Sequence, residues 1–115
     1  VTLTYAQSWA LAFAITQVVE VPIYRALAPV RWWQAFSLSL VTHPVVWYVF
    51  PPLGARAGLG WTQMLWLAEA FAYLTEAALL RAYGVRWARA LAVATLANTA
   101  SIVAGELIRA RWGVP

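Results

Sequence analysis

Four apolar stretches, each about as long as the 20 or so helical residues that cross a hydrocarbon core, fill nearly the whole chain. They run from Leu3 to Ala26, Trp32 to Phe50, Trp61 to Tyr83 and Trp87 to Arg109. In lipid every backbone N–H and C=O must find a partner within its own segment, so such stretches are predicted to be helices. The gaps hold Pro29, then Pro51-Pro52-Leu53-Gly54, then Gly84, residues that stop helices and turn chains. Tryptophan and tyrosine gather toward the ends of the stretches: Tyr5 and Trp9, Trp32 and Trp33, Trp47 and Tyr48, Trp61 and Trp66, Tyr83 and Trp87, and Trp112. Side chains with an apolar body and a polar tip settle at the headgroup level, so this is the placement of an aromatic belt. Only 10% of residues are charged against 63% hydrophobic, too little charge to clothe a surface in water.

The formal net charge of +4 rests on eight arginines and no lysine. They sit between the apolar stretches instead of forming one stripe, so no nucleic-acid partner is expected. Arg25, Arg31, Arg81, Arg86 and Arg89 flank the first and third gaps, against Arg56, Arg109 and Arg111 on the other side. The positive-inside rule then places the first and third loops in the cytoplasm and both termini outside, in a multi-pass protein of the cell's inner (cytoplasmic) membrane. The first stretch lacks a basic leader, is long and carries Glu20, so it is expected to be a retained span and not a cleaved signal peptide. Cysteine is absent, which excludes a disulfide framework, a thiolate metal site and a cysteine nucleophile.

The chain also repeats itself. Gln7, Leu11, Ala12, Ala14, Glu20 and Arg25 align at one constant offset with Gln63, Leu67, Ala68, Ala70, Glu76 and Arg81. After a one-residue gap, Val30-Arg31-Trp32 falls on Val85-Arg86-Trp87, Ala35 on Ala90 and His43 on Asn98. The expected architecture is therefore all-α: an integral membrane protein of four transmembrane helices forming one domain over residues 1–115. Its two pseudo-repeated hairpins cover about 3–50 and 61–112. Both hairpins cross out-in-out, so a pseudo-two-fold axis along the membrane normal would relate them, with the glutamate-bearing first and third helices as mates.

Carboxylates inside apolar spans cost several kcal/mol unless partnered, so Glu20 and Glu76 mark an interior site. Counting 1.5 Å per residue from the arginine-rich ends puts both roughly 8–10 Å down, and His43, Glu69 and Asn98 about 16–20 Å down. Two layers are predicted, the matched glutamates below and a His43/Glu69/Asn98 layer nearer the centre, with Thr16 and Gln17 close by. Helical spacing adds supporting stripes: Thr16, Glu20 and Tyr24; Ser39 and His43 with Thr42 beside them; Glu69, Tyr73 and Glu76; Ala94, Asn98, Ser101 and Gly105. Pro22 and Pro44 would kink their helices and free the carbonyls of Val18 and Leu40 near Glu20 and His43.

The set Glu20-Val21-Pro22, Thr42-His43-Pro44 with Trp47, Glu69 with Glu76, and Asn98 with Ser101 and Gly105 resembles a pattern of small four-helix bacterial membrane proteins. Written out, the pattern is E-x-P, T-H-P-x-x-W, E-x(6)-E and N-x-x-S-x-x-x-G, and it would cover most of the chain. The resemblance implies the four-helix membrane fold and no activity. From the residues themselves, tiny loops and small-residue faces point first to a subunit or accessory factor of a larger membrane assembly. Its partners would be the lipid bilayer and another membrane protein or a second copy of itself. The alternative is a transporter or channel coupled to a proton or small cation, with Glu20, His43, Glu69, Glu76 and Asn98 as the polar cluster. A further alternative is an intramembrane metal-binding protein or enzyme, in which His43 and Glu69 would give half of a His/carboxylate site. One histidine, no aspartate and no nucleophile motif leave catalysis little to work with, so no catalytic residue and no cofactor are expected.

Overall fold

The computed structural model describes residues 2–115 and contains helices only among them: four long ones and one short one. They are α1 (Tyr5–Leu27), α2 (Trp32–Tyr48), α3 (Phe50–Arg56), α4 (Trp61–Ala82) and α5 (Trp87–Trp112). The ends obey local chemistry. Thr4 caps α1, accepting from the Gln7 amide at 3.1 Å while the Gln7 side chain accepts from the Thr4 amide at 2.9 Å. Gln63 does the same for the amide of Gly60 at the start of α4, at 3.0 Å. The repeated glutamines are thus helix starters. Arg25 and Arg81, also repeated, lie in the last turns of α1 and α4, where the helix dipole favours a cation. Gly84 takes φ +98 to turn the chain out of α4, and Gly113 at φ +71 ends α5 in a left-handed cap.

Pro51-Pro52-Leu53-Gly54 is not an open turn, as the sequence suggested, but most of α3. A proline in the first turn lacks only an amide that would be unpaired there anyway, and its fixed φ already suits a helix. The helix folds back on α4 with Gly54 buried against Met64. Neither Pro22 nor Pro44 breaks its helix.

The four long helices form a ring. α1 packs on α2 and α5, and α4 packs on the same two, so α1 faces α4 across one diagonal and α2 faces α5 across the other. Their contact faces are lined by alanines, Ala35, Ala68, Ala72, Ala77, Ala90, Ala94 and Ala97, which let backbones approach closely. At the arginine-rich end the centre is filled by Tyr24, Leu38, Leu80, Val85 and Val93. Toward the termini it is hollow.

Polarity runs inside out. The buried residues include Gln17, Glu20, Ser39, Thr42, Glu76 and Asn98, while Val18 and Trp66 are each 74% exposed, with Leu40, Leu74, Leu96, Val103 and Leu107 also on the outside. A bundle in water hides its leucines and displays its glutamates. Two helices, α1 and α5, are long and apolar enough to cross a membrane, and only 17% and 22% of their apolar windows are buried, unlike the core helices of a soluble protein.

A Cβ added at Gly54 would stand 2.7 Å from the Cγ of Met64. Gly54→Leu is therefore expected to push α3 off α4 and to lower stability by about 1–3 kcal/mol, read as a lower unfolding temperature in detergent.

Candidate functional site: a carboxyl pair beneath an open cavity

Glu20 from α1 and Glu76 from α4 reach across the ring and meet at its centre, each 1% exposed and within hydrogen-bonding reach of the other. Donors from the other helices surround them. Ser39 of α2 donates to Glu20 Oε1 at 2.6 Å, and Ser101 of α5 donates to Glu20 Oε2. Glu76 Oε1 accepts from the Tyr24 hydroxyl at 2.6 Å and from Asn98 Nδ2 at 3.2 Å, and its Oε2 accepts from Thr42 at 2.8 Å. Five donors from three helices converge on two carboxyl groups. No arginine or histidine joins them: the one ion pair among the described residues is Arg109 with Glu106, 3.0 Å apart and exposed.

Asn98 belongs to this glutamate layer, contrary to the two-layer expectation. Counting backbone rise ignores the direction of side chains, which lean toward the N-terminus of their own helix. α1 and α4 run toward the arginine-rich end, so Glu20 and Glu76 lean back toward the middle. α2 and α5 run away from that end, so Ser39, Thr42, Asn98 and Ser101 lean down to meet them. Groups that the rise count separates by about 10 Å therefore touch.

His43 stands apart. Its Nε2 lies 3.4 Å from Thr16 Oγ1, its ring packs among Trp9, Phe13 and Trp47 at centroid separations of 6.3, 5.6 and 6.0 Å, and its Nδ1 has no partner. Glu69 makes no hydrogen bond or ion pair among the described residues. His43 and Glu69 are thus not joined, and no group of three His, Cys, Asp or Glu side chains that could hold a metal occurs among the described residues. Gln17 and Tyr73 also turn elsewhere. Gln17 Nε2 donates to the Phe36 carbonyl at 3.1 Å, and the Tyr73 hydroxyl lies 3.2 Å from Thr99 Oγ1. Pro22 and Val18 are exposed, because residues two apart on a helix point in nearly opposite directions, so the freed carbonyl is carried away from Glu20. Among the described residues, no side chain of the cluster donates to the carbonyl of Val18 or Leu40.

Above the pair the ring opens toward the termini into a cavity of about 560 Å³. Glu20, Glu76, Ser39, Thr42, Asn98 and Ser101 form its inner end; Thr16, His43 and Glu69 line its wall; Tyr5, Trp47, Trp61, Glu106 and Arg109 lie at its mouth. One surface thus gathers all five cluster residues. Sequence reasoning missed the cavity and its mouth, since aromatic residues at helix ends are the same signal that marks a membrane belt.

No protein-family model matches the chain, and no curated protein or solved structure matches it either. The chemistry of the site rests on its geometry.

Glu76→Leu would strand the buried Tyr24 hydroxyl, while Thr42 and Asn98 keep the carbonyls of Leu38 and Ala94 as acceptors. The expected loss is about 1–3 kcal/mol, the scale of one stranded buried group. Glu76→Gln keeps one acceptor oxygen and is expected to lose less, so thermal unfolding in detergent should rank wild type above Glu76→Gln above Glu76→Leu.

Proposed function

We propose that the chain is a four-span protein of the cytoplasmic membrane, and that its acidic cavity serves a transporter or channel coupled to a proton or small cation. Several features support four spans. α2 has 17 residues and α4 carries Glu69, Glu76 and Arg81, yet both turn large apolar side chains outward: Phe36, Leu40 and Val41 from α2, and Trp66, Leu67 and Leu74 from α4. The carboxyls of α4 point into the ring instead of toward lipid, which is where charged groups belong in a membrane helix. The exposed Arg25, Arg31, Arg81, Arg86 and Arg89 gather at one end of the bundle, which favours that end as cytoplasmic and the cavity mouth as external.

One observation carries the transport reading: two carboxyls in contact at the inner end of a cavity with no basic side chain beside them. Two adjacent buried negative charges cost far more than a bundle of this size can bear, so a proton or a cation must accompany the pair. Whatever accompanies it arrives through the cavity, since Tyr24, Leu38, Leu80 and Val93 fill the ring on the other side. Passage across the membrane requires that plug to part, and the hydroxyl of Tyr24 couples it to Glu76 directly.

A second reading, a subunit or accessory factor, is favoured by the breadth of exposed apolar surface, including Val103 and Leu107 on α5. The small-residue stripe of that helix serves it less than expected, because Ala94 and Asn98 are buried within the bundle and Ser101 donates to Glu20.

Purified protein in liposomes under a pH gradient is expected to dissipate the gradient faster than empty vesicles, and Glu76→Gln to lose at least about tenfold of that flux, the scale of one charge interaction worth about 1.4 kcal/mol. Wild-type flux equal to that of empty vesicles would sink the transport reading, and flux from the chain alone would weigh against an obligatory partner. The chain has no cysteine, so single cysteines report topology cleanly. Arg86→Cys is expected to resist, and Arg111→Cys to accept, a membrane-impermeant thiol reagent added to intact cells.

A further inference from the structure

The cavity is larger than a proton or a metal ion requires. At about 30 Å³ per water molecule in the liquid, 560 Å³ corresponds to roughly 19 waters, and it falls within the range of small-molecule pockets. It is also built, not incidental: Glu20, Ser39, Thr42, Glu76 and Asn98 are each at least 95% buried and still border it. Its wall has one sign of charge. Glu106 and Arg109 at the mouth neutralise each other, and Glu20, Glu69 and Glu76 remain with no basic partner.

These carboxyls are not equivalent. The oxygens of Glu20 and Glu76 are occupied by five donors and by one another. Glu69, half-buried on α4 closer to the mouth, has all its acceptor sites free and opens onto the cavity. Around it the wall turns apolar with Ile15, Val46, Met64 and Leu65, and Trp47 and Trp61 are among the residues that line it near the entrance.

We propose that the cavity binds a small organic cation bearing one ammonium or guanidinium group, with Glu69 meeting the charge and the apolar wall covering the rest of the molecule. The inference rests on the cation reading given above and names the class of substrate. A compact inorganic ion would leave most of the volume and the whole apolar wall without a role, and a neutral solute would leave Glu69 unpaired.

Full-length protein in lipid nanodiscs, titrated with benzylammonium, with benzyl alcohol as its neutral isostere and with sodium chloride, tests the proposal by calorimetry and tryptophan fluorescence. Saturable benzylammonium binding is expected, at least about tenfold tighter than that of benzyl alcohol, the scale of one charge contact of about 1.4 kcal/mol. Glu69→Gln is expected to weaken it by a similar factor, while Arg111→Gln, exposed and outside the cavity lining, changes it by less than about threefold. The Glu69 carboxyl makes no bond within the bundle, so its replacement should leave the unfolding temperature unchanged. Equal affinity for the alcohol, sodium binding as tight as that of benzylammonium, or an unchanged affinity in Glu69→Gln would overturn the proposal. Glu76-dependent proton flux without benzylammonium binding also overturns it and leaves the coupling reading standing; benzylammonium binding without flux supports it and removes the coupling.

Discussion

The contact between the carboxyls of Glu20 and Glu76 is the joint on which the rest of this bundle depends. α1 and α4 are not packing neighbours, and the carboxyl pair together with the Tyr24 hydroxyl spans the diagonal between them. Ser39 and Thr42 bring in α2, and Asn98 and Ser101 bring in α5, so one polar knot ties all four long helices. Under the four-span proposal, apolar surface supplies little drive for the helices to associate, because the surrounding lipid chains would be as apolar as leucine. Hydrogen bonds that can be made only at one rotation of each helix then decide which faces meet.

That knot also divides the interior into two unlike halves. On the arginine-rich side, large apolar side chains close the ring around Tyr24; on the other side the ring is hollow and acidic. A filled core at both ends would make the carboxyl pair pure scaffolding, because nothing could reach it. A hollow through both ends would make a pore. The half-filled ring is instead a site open to one side, with a tyrosine that belongs both to the plug and to the site.

Much of the scaffold was legible in the chain. The starts of α2, α4 and α5 fall where Trp32, Trp61 and Trp87 announced them, and Pro29 and Gly84 stand just past the ends of α1 and α4. Gln7 and Gln63, noticed only as repeated letters, turn out to have a local task at helix starts. The two glutamates were legible as a pair because burying a carboxyl is too costly to happen twice without a partner. Less legible were the partners. His43 and Glu69 share a depth but not a contact, since His43 is held in an aromatic nest between α1 and α2 while Glu69 faces the open cavity. Tyr73, spaced to share a stripe with Glu76, is rotated far enough to meet Thr99 instead.

Sequence alone determined what is set within one segment: that the chain is helical, where α2, α4 and α5 begin, and that two carboxyls lie among apolar residues. Those follow from periodicity, capping residues and the cost of burying charge, which depend on near neighbours in the chain. Tertiary structure decided what lies across the ring: which diagonal each helix takes, that Asn98 and Ser101 lean down to the glutamates, and that space remains above them. These depend on helix rotation, on the lean of side chains along antiparallel axes and on the summed volume of four facing surfaces, quantities that no single stretch of sequence contains.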